Sequence, residues 1–431
     1  RCLRHFAWAY SETSGSSACH IVARRAHSCP ARDWRGRRAS RCSLVTIPFG
    51  RQARALFSLD PQGTFLNHGS FGAVPIPVQQ AQQRWQAAME RQPDLFFRRL
   101  MKPAIRAAAE VLGPVVNVNG DDIAFVENAT SAINAVLHSL TFRPGDEILI
   151  TSTTYNTVRL AVVEVCKRSG ATPVVVDLPL PLHDHQSVVA RFAAKLSRQT
   201  RLAIFDLIVS PTAHILPVRE MTKLCKQQGA HVLIDAAHGP GQVPLDIQSL
   251  GADWVTGNLH KWLFCPRGTA FFWAGPQVRD LTAPLAVSHW FEDGFPRSFD
   301  YTGTRDATAW LCVPDALSFI AEFGLEAMMA HNRTLVRDGI AKFAQLGARP
   351  TAEPGYFAAM LSMQLPTIGP ASPEAAAFLL HEMWDQHRVQ IAASVVEGAL
   401  LLRLSGQIYC SLDDFARAAE ALDALGWPGR P

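Results

Sequence analysis

Short apolar runs alternate with amphipathic stretches through the middle of the chain. Runs at 123–126, 147–151, 172–176, 202–209, 231–235, 254–256 and 269–273 are apolar on both faces. Stretches of helical period at 130–140, 157–169, 187–196 and 218–228 separate most of them. Strands without alternation, spaced by helices, predict a mainly parallel sheet of seven strands buried between helices. Pro144-Gly145-Asp146 reads as a turn leading into a strand. Beyond Gly324 the pattern changes: a long helix at 325–346, a strand at 358–364 and a helix at 373–387. Strands near 389–392 and 400–408 and a last helix at 412–425 follow. The expected fold class is α/β, with a large domain over 56–320 and a smaller α+β domain over 321–431.

Composition narrows the class. Of 431 residues, 48% are hydrophobic and 18% charged, which excludes a disordered chain. No run of 18 apolar residues suggests a membrane span. The net charge of +4 is unevenly spread. Residues 1–50 hold nine arginines and two acids, leaving 32 basic against 35 acidic residues in the body. The body therefore carries no nucleic-acid footprint. The leader, taken as 1–55, has the Arg- and Ser-rich, acid-poor composition of an organellar transit peptide. The alternative is an upstream stretch outside the native protein, and either way it is set apart from the fold. With a genuine transit peptide the compartment is mitochondrial; otherwise a cytoplasmic protein is expected.

Nine cysteines are scattered without a C-x-x-C pair, so neither a disulfide framework nor a zinc ribbon is expected. His381, Glu382 and His387 lack the H-E-x-x-H spacing that puts two histidines on one helical face. No metal is expected.

Two segments carry chemistry. In Val232-Leu233-Ile234-Asp235-Ala236-Ala237-His238 an apolar strand delivers a carboxylate at its C-terminal end, the edge where open α/β sheets bind ligands. In Gly257-Asn258-Leu259-His260-Lys261-Trp262 a lysine follows the next strand. An acid and an amine on successive loops of one sheet edge suit pyridoxal 5′-phosphate. Its aldehyde needs an amine for a Schiff base, and its pyridine nitrogen needs an acid to stay protonated. No G-x-G-x-x-G or G-x-x-x-x-G-K-[ST] follows a strand, which disfavours a nucleotide-binding protein.

These segments, with Thr302-Gly303-Thr304-Arg305-Asp306, resemble the signatures of class V (fold type I) pyridoxal-phosphate enzymes. The stretch from Phe65 to Gly72, the Leu402-Arg403-Leu404-Ser405 segment and Tyr409 are similar to the isopenicillin N epimerase-like subgroup. The resemblance spans about 60–425. It implies that Lys261 is the Schiff-base lysine and proton shuttle, that Asp235 pairs with the pyridine nitrogen, and that His238 lies beside the ring and supports Asp235. It implies phosphate contacts from Asn128, Ala129 and Thr130 at a helix N-terminus, from Asn258 and His260, and from Thr304 across a homodimer interface. Tyr155 would stack on the ring, at a position where family members often have His. Ser210 falls near the ring-hydroxyl contact. Arg403 would clamp the substrate carboxylate, and Asn67 and His68 would line the substrate cavity.

The family covers epimerisation, transamination, desulfuration and C–S lysis of amino acids. A cysteine desulfurase needs a nucleophilic cysteine shortly before the carboxylate-binding arginine. Residues 389–398 hold none, and Cys410 lies beyond Arg403. The expected function is therefore reaction at Cα of an amino-acid substrate, in the manner of an isopenicillin N epimerase. A C–S lyase of the hercynylcysteine sulfoxide type and a desulfurase-like enzyme are the alternatives. A relative that binds without catalysing is a further one.

Overall fold

The computed structural model describes residues 48–367 and 371–426. Most of the expected leader therefore lies outside the described residues. Its last part does not stand apart from the fold. A short helix at Arg51–Arg54 buries Ala53 completely, and the Gly50 N–H donates to the Ile408 carbonyl at 2.7 Å.

Seven strands form the central sheet: β1 Ile123–Val126, β2 Glu147–Thr151, β3 Thr172–Val176, β4 Thr200–Asp206, β5 His231–Asp235, β6 Trp254–Asn258 and β7 Ala270–Ala274. Their order is β1-β7-β6-β5-β4-β2-β3. β7 runs antiparallel to both neighbours, and every other pairing is parallel. β1 thus points the same way as β6, so the loops after β1, β4, β5 and β6 share one carboxyl edge. Leu202 to Phe205 and Val232 to Ile234 have no exposed surface. Burial on both faces is why these strands read as unbroken apolar runs. β3 is an edge strand, largely exposed, and carries Pro173 where no ladder donor is required.

Helices α1 Ile76–Arg91 and α2 Met101–Val116 precede the sheet. α2 is not among the expected helices. Pro77 falls in the first turn of α1, where a missing N–H costs little. Helices α3 Ala129–Ser139, α4 Asn156–Ser169, α5 His185–Lys195 and α6 Val218–Gln227 connect the strands. The side chains of Asn128 and Asp184 cap α3 and α5, and Gly170 at φ 77° ends α4. A single helical turn, α7 Leu259–Trp262, follows β6 directly.

The C-terminal region builds a second, antiparallel sheet from β8 Arg349–Pro350, β9 Met360–Gln364, β10 Ala392–Val396 and β11 Ala399–Ser405. Its order is β10-β11-β9-β8. Helices α8 Leu325–Gly339, α9 Pro373–Asp385 and α10 Leu412–Ala424 accompany it. The long helix expected at 325–346 tightens into 3₁₀ turns after Gly339. A Cβ on Gly339 would lie 2.3 Å from the Phe415 ring, so backbone and ring meet there without room for a side chain. Among the described residues no single helix is long and apolar enough to cross a membrane.

Candidate active site

The carboxyl edge of the large sheet gathers three acids and amides on successive loops. Asp206 ends β4 and Asp235 ends β5, and the two are Cα partners in the parallel ladder. Asp235 is buried, and its Oδ1 accepts the Ala237 N–H at 2.8 Å. Burial raises its carboxyl above the ordinary range, opposed by the Ala237 N–H and by the charge of Lys261. Asp206 is raised well above the usual carboxylate range, first by burial and then by Asp235. Its Oδ2 is buried without a hydrogen-bond partner.

Asn258 ends β6, and its Oδ1 accepts the Ala129 N–H at 3.0 Å. That bond ties the start of α3 to the strand that leads into α7 and Lys261. At the same helix start the Ser131 N–H goes to the Asn128 Oδ1 at 3.0 Å. The amides of Ala129 and Ser131 are therefore already occupied, and Thr130 is the residue at this terminus left to meet an anion.

Lys261 lies on α7, and its Nζ stands 3.2 Å from the His238 Nε2. Burial draws the amine down to about 7, helped by the charge of Arg403 and opposed by Asp235 and Asp206. His238 is held well below its ordinary value by burial and by the Lys261 and Arg403 charges. Its Nδ1 accepts the Trp262 indole N–H at 3.4 Å. His238 therefore contacts the amine and an indole, whereas Asp235 takes its bond from a backbone amide. No hydrogen bond joins His238 to Asp235 among the described residues. His260 bonds the Thr269 carbonyl through Nδ1 at 3.1 Å, and burial lowers it to about 4.

Arg403 enters from β11 of the other sheet. It is buried at 6% exposure. Among the described residues no acid lies in ion-pair range of it. Neutral oxygens hold it: one terminal nitrogen donates to the Ser210 carbonyl at 2.8 Å and hydroxyl at 3.1 Å. The other donates to the Ser70 hydroxyl at 2.9 Å and the Asn67 Oδ1 at 3.3 Å. Its Nε has no partner. Burial lowers the guanidinium to about 10, with Tyr155 acting the other way. A buried cation surrounded only by neutral groups is costly unless an anion joins it.

The expected residues divide accordingly. Lys261, His238, Asp235, Asn258 and the α3 start lie together at the sheet edge, and Arg403 with Asn67 and Ser210 adjoins them. Ser210 is committed to Arg403 through both its oxygens. Tyr155 immediately precedes α4 and is 47% exposed. His68 is a correction: it is fully buried, with Nδ1 on the Tyr409 hydroxyl and Nε2 on the Lys261 carbonyl, both at 2.8 Å. Both ring nitrogens are taken by protein atoms, so it does not line the cavity. Thr304 is exposed and bonds Tyr301 at 2.8 Å. Asp206 and Ser70 are absent from the expected set. Asp206 is hidden because the apolar run around it reads as one strand to 209, whereas the strand ends at Asp206 itself.

The donor set fits pyridoxal phosphate. An amine of lowered basicity, a buried carboxyl, a helix N-terminus and an uncompensated guanidinium face one sheet edge. The sequence profile of the Aminotransferase class-V family matches residues 78–371. An L-cysteine desulfhydrase of Arabidopsis thaliana is 30% identical over 84% of this chain and 87% of its own length. An isopenicillin N epimerase of Streptomyces clavuligerus is 29% identical over 87% of this chain and 98% of its own. The apo structure of a cysteine desulfurase from Thermococcus onnurineus NA1 has the same fold, with a TM-score of 0.72 at 17% identity over 86% and 96% of the two chains.

Proposed function

Because the chain belongs to the class V aminotransferase family of pyridoxal-phosphate enzymes, we propose that it cleaves the C–S bond of a cysteine-like α-amino acid. The observation that carries this is the buried, acid-free Arg403 beside the lowered amine of Lys261. The relatives' names support a small-molecule substrate: one names L-cysteine, the other isopenicillin N.

The bound cofactor supplies an aldehyde that takes up an amine and a ring that draws electrons from Cα. Lys261 would hold it, with Asp235 at the ring nitrogen and Tyr155 against the ring. Asn128, Ala129, Thr130, Asn258 and His260 would surround the phosphate end, although the Ala129 amide is already bonded to Asn258. Arg403 would hold the substrate carboxylate by two parallel hydrogen bonds, with Asn67 and Ser210 fixing its plane. That fixes Cα near the Lys261 Nζ. With its amine drawn down to about 7 by burial, Lys261 is able to take the Cα proton near neutral pH. The same amine can pass that proton to the departing sulfur, so elimination needs no second base. The balanced reaction for cysteine is cysteine and water to pyruvate, ammonia and hydrogen sulfide.

Epimerisation is the second reading, favoured by one observation. Tyr155, half-exposed at the N-cap of α4 on the loop after β2, is the candidate side chain for the opposite face of Cα. A persulfide relay has no support. The cysteines among the described residues are buried free thiols, and the Cys410 thiol is pushed far up by burial. The free thiols suit an enzyme working inside the cell. Thr304, exposed here, would serve a second copy of the chain in a homodimer.

Incubation with L-cysteine tests the proposal. Sulfide and pyruvate are expected in equal amounts. Release of neither, with stereochemical inversion of an offered amino acid, would replace lysis by epimerisation.

A further inference from the structure

The segment 67–72 crosses between the two sheets and touches both halves of the candidate site. Asn67 and Ser70 bond the Arg403 guanidinium. Between them, His68 turns inward. Its ring lies between Trp262 and Phe264, with centroids at 4.9 and 5.6 Å. The segment presses on α7 as closely as backbone allows. A Cβ on Gly72 would lie 2.1 Å from the His260 carbonyl oxygen, and Gly72 itself sits at φ 69°. The Arg267 guanidinium closes the contact by donating to the Gly72 carbonyl at 3.1 Å.

The protonation of His68 follows from its partners. A carbonyl oxygen can only accept, so the Nε2 facing Lys261 carries the hydrogen. Full burial holds the imidazole down to about 3, so it is neutral and its Nδ1 is bare. The Tyr409 hydroxyl must then donate to Nδ1. That phenol is held well above its ordinary range by burial and keeps its proton. A hydrogen-bonded line thus runs from Tyr409 through His68 to the backbone of Lys261. A fully buried, polar ring is a costly way to fill this space unless its hydrogen bonds are used.

We infer that His68 is a positioning residue for Lys261: its Nε2–H, aligned by the Tyr409 hydroxyl, pins the Lys261 carbonyl and so fixes the turn that aims the amine. The same segment holds Arg403, so amine and guanidinium share one support. This inference rests on the reading of Lys261 as the cofactor-bearing lysine.

The test uses the full chain and its His68→Gln, His68→Met and Tyr409→Phe variants, mixed with pyridoxal phosphate. The rate at which the visible band of the lysine-bound cofactor grows is followed alongside the thermal midpoint. His68→Gln keeps a donor near the carbonyl and is expected to stay within about threefold of the parent. His68→Met, matched in bulk but without a donor, is expected to be roughly tenfold slower, the effect of one lost buried hydrogen bond. In steady state the loss is expected in kcat, with KM little changed. If His68→Met does not fold, Tyr409→Phe decides, with an expected slowing of about threefold. Equal rates for His68→Met and the parent, or for Tyr409→Phe and the parent where the first is unfolded, overturn the inference. A parent that forms no visible band overturns the underlying reading of Lys261 instead.

Discussion

The Lys261 amine and the His238 Nε2 lie 3.2 Å apart, and the bond between them has a defined direction. The Trp262 indole can only donate, so the His238 Nδ1 accepts from it and, in a neutral ring, Nε2 carries the hydrogen. Nε2–H then donates to the lone pair of an uncharged amine. Trp262 thereby favours the form of Lys261 that can attack an aldehyde or take a proton. Trp262→Phe removes that direction while keeping an aromatic ring. A fall in kcat of roughly fivefold is expected, corresponding to about 1 kcal/mol. Steady-state kinetics on the variant check it, and an unchanged kcat would show that the indole only packs.

Arg403 is expected to control substrate binding rather than the chemical step. Arg403→Lys keeps the charge but loses the planar pair of donors. KM for the amino acid should rise by roughly ten- to a hundredfold, with a smaller change in kcat. Arg403→Met should also raise the thermal midpoint of the ligand-free protein, because it removes a buried cation that no acid compensates. Kinetics and thermal unfolding on the two variants check both.

Lys261 makes stability depend on pH in a definite direction. Its amine is near 7 in the fold and near the ordinary lysine value of 10.5 when unfolded. Between these values the unfolded chain binds more protons, so this residue makes cofactor-free stability rise with pH across that window. Lys261→Met should raise the thermal midpoint at pH 6 and flatten this part of the profile. Unfolding scans of parent and variant from pH 6 to 10 measure it.

Asp206 has the opposite sign. Its carboxyl is raised in the fold, so the folded state holds a proton that the unfolded chain releases once pH passes the ordinary carboxylate range. Its contribution is fully present below the ordinary value of 3.8 and is lost as pH rises from there toward the raised value. Asp206→Asn, which carries no such proton, should therefore stabilise more at pH 8 than at pH 4. A difference in thermal midpoint that is the same at both pH values would count against this.

Much of this was legible in the sequence. The unbroken apolar runs gave the seven strands because both faces of the sheet are buried, and Asp235 and Lys261 stood out because each follows such a run. What stayed hidden depends on contacts between distant segments. His68 reads as part of a polar turn lining a cavity, but the packing of 67–72 against α7 turns its ring inward onto the Lys261 carbonyl. Ser210 reads as a cofactor contact, whereas a strand nearly two hundred residues later delivers Arg403 onto both its oxygens.

The most direct measurement is chemical. The full chain is loaded with pyridoxal phosphate, reduced with borohydride, digested and mapped by mass spectrometry. We expect the phosphopyridoxyl group on the peptide containing Lys261, and its loss in Lys261→Ala. Labelling confined to other lysines, or none after loading, would contradict the assignment of Lys261 as the residue that carries the cofactor.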